Sequence, residues 1–219
     1  MSGLGLNLDP ATIIIIAAFL LFAFPVHEFC HALAAYRLGD STAKYYGRLT
    51  LNPIVHFDPI GGGLLALTAL FGGFIFGWAK PTPVNPLNIR GGHRGEALVA
   101  LAGPASNAVM AVAGAIPLRF MLASTLDIPV IVLQALYLFV YVNVILAIFN
   151  LVPIPPLDGS KLMFGFLDAG TVYRIRPVLE QYGIFLFILL ILPLFNGESI
   201  LSLTVGRLAL EIVKLLVGA

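Results

Sequence analysis

The sequence predicts an all-α polytopic membrane protein of about five to six membrane helices, with a small strand or re-entrant insertion after the first helix. Three observations carry that expectation. Of the 219 residues, 59% are hydrophobic and only 11% are charged, against about 25% charged in an ordinary soluble domain. The stretches 97–118, 128–157 and 181–197 carry no charge at all. A membrane span takes about 20 residues, so the chain is expected to be filled by such segments as a single membrane-embedded domain, residues 1–219. Twelve Lys and Arg against eleven Asp and Glu leave a net charge of +1, which gives no polyelectrolyte signal for nucleic acid. The expected surroundings are therefore a lipid bilayer. The lone Cys30 excludes an internal disulfide framework.

The first predicted helix covers 11–36, about 39 Å at 1.5 Å per residue. No basic residues precede it, so it is read as a retained span and not as a cleaved signal peptide. Residues 37–95 form the insertion. Gly39-Asp40 marks a turn, and the alternation from Lys44 to Leu51 predicts a short strand. Gly61 to Gly77 is apolar but contains six glycines and ends in Trp78, Lys80 and Pro81-Thr82-Pro83, which suits a re-entrant or interfacial hairpin better than a span. Helices are expected over 96–119 and 129–150, then a proline-broken segment over 150–168, then C-terminal helices over 177–195 and 199–217. Tyr45, Tyr46 and Trp78 fit an interfacial aromatic belt.

Basic residues concentrate on the cytoplasmic side of membrane proteins. If the first helix runs inward and 61–77 returns to its own side, Arg37, Lys44, Arg48, Lys80, Arg90, Arg94, Lys161, Arg174 and Arg176 all become cytoplasmic, nine of the twelve. A full crossing by 61–77 instead moves three of them outside and puts Asp158 on the face opposite His31.

The chemistry is concentrated in His27-Glu28-Phe29-Cys30-His31, an H-E-x-x-H inside the first helix. Residues i and i+4 share a helix face, so two imidazoles can grip one metal ion while Glu28 addresses a bound water. Three ionisable groups within five positions at membrane depth need a shared reason. A catalytic zinc site generally takes a third protein ligand, and Asp158, His56, Asp58, Asp168 and Cys30 are candidates. Asp158 stands out because it closes the uncharged run 128–157 behind Pro153, Pro155 and Pro156, where unwound chain presents it. It also suits the N-cap of a following helix.

Together with Asn150-x-x-Pro153 and Leu157-Asp158-Gly159, the H-E-x-x-H motif resembles the site-2 proteases, zinc metalloproteases that cut proteins within or near their transmembrane segments. Gly103-Pro104-Ala105-Ser106-Asn107 is similar to the small-residue and Asn element of that family. The resemblance covers roughly residues 20–165. It implies one Zn2+ held by His27, His31 and Asp158, Glu28 as the catalytic carboxylate, and Asn107 beside the scissile peptide. It also implies a transmembrane protein substrate and a multi-pass protein of a prokaryotic cell membrane, its metal site toward the cytoplasm. Members with a helix before the H-E-x-x-H helix, or with PDZ or CBS domains, differ from this compact pattern. His56, Asn150 and Cys30 are further candidates to line the active site, and 44–51 to hold unwound substrate by strand addition. A non-proteolytic metal-binding or transport protein is the alternative, against which Glu28 counts, since transport needs no positioned general base.

Overall fold

A computed structural model describes residues 10–71, 77–192 and 198–218. Within them the chain forms helices α1 (Pro10–Arg37), α2 (Thr42–Tyr45), α3 (Pro53–His56), α4 (Pro59–Phe71), α5 (Gly92–Ala123), α6 (Val130–Asn150), α7 (Asp158–Phe166), α8 (Ala169–Ile191) and α9 (Arg207–Val217). A 3-10 turn at Pro86–Asn88 precedes α5, and a π turn at Ser202–Gly206 precedes α9. Among the described residues, three segments are long and apolar enough to cross a membrane: Ile15–Arg37, Gly92–Ala123 and Val130–Asn150. Of the expected helices, 11–36 and 96–119 are helical throughout and 129–150 and 199–217 are helical from their second residue, while the tail of the 177–195 segment, 193–195, falls outside the described residues.

The strand expected over 44–51 is not formed. Asp40 accepts the backbone N–H of Thr42 at 3.0 Å and starts the helical turn α2, which Gly47 ends with a φ of 68°. Asn52 then caps α3 by accepting the Ile54 N–H at 3.1 Å, with Pro53 at the first helical position. Over 44–51 the chain instead ends α2 and turns through Gly47, and α3 begins just beyond it. Between them the buried Arg48 guanidinium donates to the Val55 carbonyl.

The described part of α4 has 13 residues, fewer than the about 20 that a span takes. The Lys80 N–H donates to the His56 carbonyl at 2.8 Å, and a Cβ on Gly77 would lie 2.6 Å from the Gly61 carbonyl oxygen. Gly77 and Lys80 thus lie beside Gly61 and His56, close to where α4 begins. Residues 72–76 of the predicted 61–77 segment lie outside the described residues.

The core is built around α5 and α6. Ala111, Ala115 and Leu118 of α5 pack with Val140 and Val144 of α6 and with Ala209, Val213 and Val217 of α9. The other face of α6, through Leu138, Val142 and Leu146, packs on Ile16 and Ala23 of α1. Small residues allow this approach: a Cβ on Gly114 would stand 2.7 Å from the Phe139 ring. Against α5 also lies α7, where a Cβ on Gly165 would meet that of Ala97 at 2.3 Å. The mostly buried Glu96 ties α5 to α8 through Arg176 at 3.0 Å.

Where α1 ends, Gly39 turns the chain at a φ of 110°. The buried Asp40 then accepts the Asn85 N–H at 2.8 Å and the Asn88 side-chain amide at 3.2 Å, while the Arg90 N–H donates to the Leu38 carbonyl at 2.9 Å. The segment leading into α5 is therefore clasped to the end of the H-E-x-x-H helix.

Candidate metal centre and active site

His27 and His31, one turn apart on α1, direct their Nε2 atoms to the same point, 3.0 Å from each other. Asp158, the first residue of α7, brings Oδ2 to 3.2 Å from His27 Nε2 and 3.0 Å from His31 Nε2. The Pro-rich turn after α6 delivers it there, held close by Gly159, whose Cβ would lie 2.2 Å from the Leu151 carbonyl oxygen. The N-cap role that the sequence also allows is not used: Leu157 is the cap residue and no side chain caps the helix. All three side chains are nearly or mostly buried.

The outer nitrogens of both rings are spoken for. His31 Nδ1 lies 2.7 Å from the Val99 carbonyl, which can only accept, so Nδ1 carries the hydrogen and the Nε2 lone pair faces the cluster. His27 Nδ1 lies 2.5 Å from Asn107 Oδ1, and the Asn107 amide nitrogen donates to Asn143 Oδ1 at 3.1 Å. Two imidazole lone pairs and a carboxylate oxygen converging at 3.0 to 3.2 Å have no proton to share among all three. Zinc bonds of about 2.0–2.1 Å in a tetrahedron place ligand atoms about 3.3 Å apart, so this donor set fits one zinc ion with small adjustments. It is the one group of three or more such side chains among the described residues whose ligand atoms all lie close enough for an ion, within 4.8 Å.

Gly103 completes the site by having no side chain. A Cβ there would stand 2.4 Å from His31 Nε2 and 2.5 Å from His27 Nε2. Val99, Gly103 and Asn107 follow each other at intervals of four on α5, so one stripe supplies a carbonyl acceptor, a gap and an amide acceptor. In the sequence Gly103 is one small residue among several, and its spacing of four from Val99 and Asn107 is the signal that sets it apart. Asn107 was expected beside the substrate. Its amide is instead fully buried and divided between His27 and Asn143, so it supports the cluster from behind.

The Oε2 of Glu28 accepts the Thr82 backbone N–H at 2.7 Å. The Thr82 hydroxyl donates to the Glu28 carbonyl at 3.0 Å. Nothing in the sequence signalled this contact across 54 positions.

The remaining candidates stand apart from the cluster. His56 is buried, with Nε2 donating to the Thr50 carbonyl at 2.8 Å, and Nδ1 has no hydrogen-bond partner among the described residues. Asn150 donates to the Leu146 carbonyl within its own helix at 2.9 Å. Asp58 accepts the N–H groups of Ile60 and Gly61, and Asp168 caps α8 through Thr171. Cys30 lies between α1 and α5 near Ala102 and Ser106. Beside α1 an apolar cavity of about 220 Å³ is walled by Leu21, Phe24 and Pro25 and, across from them, by His56, Gly62 and Trp78.

A membrane helix carrying H-E-x-x-H, closed by an aspartate 127 positions beyond its second histidine, defines a metallohydrolase of the membrane. The family model that matches, over residues 121–194, is peptidase family M50. A Bacillus subtilis protein named as a zinc metalloprotease, YwhC, is 36% identical over 193 residues, covering 86% of this chain and 85% of its own length. Rip2 of Mycolicibacterium smegmatis, named in the same way, is 31% identical over 186 residues, 84% of this chain and 69% of that protein. Rip2 of Mycobacterium tuberculosis is 27% identical over 198 residues, with the same coverages. No solved structure matches the chain. The chain belongs to peptidase family M50, the site-2 proteases, and is an intramembrane metalloprotease with zinc as its cofactor.

Proposed function

We propose that His27, His31 and Asp158 hold a single zinc ion and that Glu28 is the general base for hydrolysis of peptide bonds in or near transmembrane segments. The observation that carries this reading is the convergence of two Nε2 lone pairs and one carboxylate oxygen at 3.0 to 3.2 Å, one residue from Glu28. Zinc held there would lower the pKa of a bound water to about 7 and would polarise the scissile carbonyl. Glu28 takes the proton from the attacking water and returns it to the leaving amine. Asn107 and the Val99 carbonyl hold the two imidazoles in the tautomer that offers Nε2.

The substrate is a membrane protein whose helix unwinds near Glu28, because a helical carbonyl is already hydrogen-bonded. The apolar cavity supports entry on this side, since its α1 wall, at Leu21, Phe24 and Pro25, continues along one face into Glu28. The C-terminal segments 177–195 and 199–217 complete the five to six membrane helices. The metal centre faces the cytoplasm of a prokaryotic cell. That orientation is supported by the positive-inside count, since it places nine of the twelve basic residues in the cytoplasm, and by an insertion whose ends meet.

The test uses purified protein in detergent with model transmembrane substrates. Glu28→Gln is expected to keep zinc and lose at least about 10²-fold in cleavage. His31→Ala and Asp158→Ala are expected to lose zinc as well. Equal cleavage by Glu28→Gln and the wild type refutes the general-base assignment, and full zinc content in Asp158→Ala refutes the third ligand.

A further inference from the structure

We propose that Thr82 is the positioning residue for the general base. Its main-chain N–H fixes one oxygen of Glu28 and leaves the other for the water. This rests on the reading of Glu28 given above.

The contact is built from both sides. Thr82 sits between Pro81 and Pro83, which have no N–H, so across these three residues the chain has a single backbone donor. That donor goes to Glu28 Oε2 at 2.7 Å. The hydroxyl of the same residue goes to the Glu28 carbonyl at 3.0 Å, so Thr82 grips both ends of Glu28. Among the described residues Oε1 has no hydrogen-bond partner. The prolines also restrict the backbone on either side, with Pro83 holding Thr82 itself to extended conformations.

The segment is anchored beyond the prolines as well. On one side the Lys80 N–H is bound to the His56 carbonyl at 2.8 Å. On the other the Asn85 N–H is bound at 2.8 Å to Asp40, which is fully buried. A donor held at four points gives the carboxylate a fixed place. A glutamate without it has three free side-chain torsions and samples many positions. Misplacing a catalytic group by about 1 Å costs about 10²-fold in rate. A neutral peptide N–H is suited to this task, because a cationic partner would neutralise the base.

The test compares Thr82→Ser, Thr82→Val and Thr82→Pro as full-length protein with a model transmembrane substrate. Thr82→Ser is expected to retain wild-type kcat. Thr82→Val keeps the N–H and loses the hydroxyl, and its kcat is expected to fall a few-fold. Thr82→Pro loses both and is expected to lose about 10²-fold in kcat, with KM within threefold and zinc content unchanged. A purely structural role would move stability, KM and zinc together.

The bond itself is read from amide hydrogen exchange at Thr82, expected to be at least tenfold faster in Glu28→Ala than in the wild type. A zinc-loaded Thr82→Pro with kcat within threefold of wild type overturns the proposal, as does equal exchange in Glu28→Ala and the wild type. Where Thr82→Pro does not fold, the exchange measurement decides. Cleavage that survives Glu28→Gln refutes the general-base reading, whereas Glu28-dependent cleavage that ignores Thr82→Pro refutes the positioning alone.

Discussion

Replacing Gly103 by alanine tests whether the gap in α5 is what makes room for the metal. The added Cβ would stand 2.4 Å from His31 Nε2 and 2.5 Å from His27 Nε2, where ordinary contact starts at 3.4 Å. The two rings must therefore retreat by about 1.0 Å, or α5 must move away from α1. Metal-ligand distances tolerate about 0.2 Å, so the required shift is about five times what the site can absorb. The helix itself favours the change, since alanine is better than glycine in a helix interior by about 0.8–1 kcal/mol. The damage should thus be confined to the centre. Zinc per chain after dialysis against graded chelator is expected to show at least a 10²-fold loss of affinity, with helical circular dichroism unchanged and cleavage abolished. Gly114→Ala is the control on the same helix. Its Cβ would meet the Phe139 ring at 2.7 Å, lowering stability by about 1–3 kcal/mol while zinc is retained. A Gly103→Ala protein that binds zinc with wild-type affinity would refute the reasoning.

Asn107→Ala removes the acceptor that fixes His27 and is expected to weaken zinc binding by about 10–100-fold, measured by chelator competition; an unchanged affinity counts against the supporting role. Asp40 bears on acid stability. Burial pushes its carboxyl up, but hydrogen bonds from Thr42, Asn85 and Asn88 outweigh this and hold it below the usual carboxylate range. A carboxyl depressed in the folded state gives stability that is complete above its unfolded value of about 3.9 and is lost as pH falls toward the folded one. Asp40→Asn is expected to cost about 1–3 kcal/mol at neutral pH and to flatten the fall in melting temperature below pH 4, and parallel acid profiles for the two proteins contradict it. Arg176→Ala leaves the mostly buried Glu96 facing His93 Nδ1 at 3.5 Å without the guanidinium and is expected to lower thermal stability by about 1–3 kcal/mol, with partial recovery in Arg176→Ala/Glu96→Gln; no recovery would mean that the lost packing on Phe164 dominates.

What the sequence disclosed was chemistry that stands out against its background. Three ionisable residues within five positions of an apolar helix, and one aspartate at the end of a long uncharged run, are conspicuous because charge is expensive there. The long helices were legible for the complementary reason, as apolar stretches of spanning length. The supporting parts were hidden because their contributions are not carried by conspicuous side chains. Val99 acts through its carbonyl, Thr82 through its N–H, and Gly103 through the absence of a Cβ. Residues 44–51 misled for another reason: they hold the end of α2 and the turn at Gly47 beside the buried Arg48, and alternation over so few residues does not separate a strand from such a turn.

The Asn107 and Asn143 pair has a direction. Asn143 donates its amide nitrogen to the Phe139 carbonyl at 2.9 Å, and a carbonyl oxygen cannot donate back. That fixes which way the Asn143 amide faces, which in turn fixes Asn107, and Asn107 then demands a hydrogen on His27 Nδ1. The protonation pattern of a histidine on α1 is thereby set by a peptide group of α6, two side chains away. The relay runs one way and has no equally good reversed state. A neutral histidine wired like this presents its lone pair at Nε2, the atom that faces His31 and Asp158.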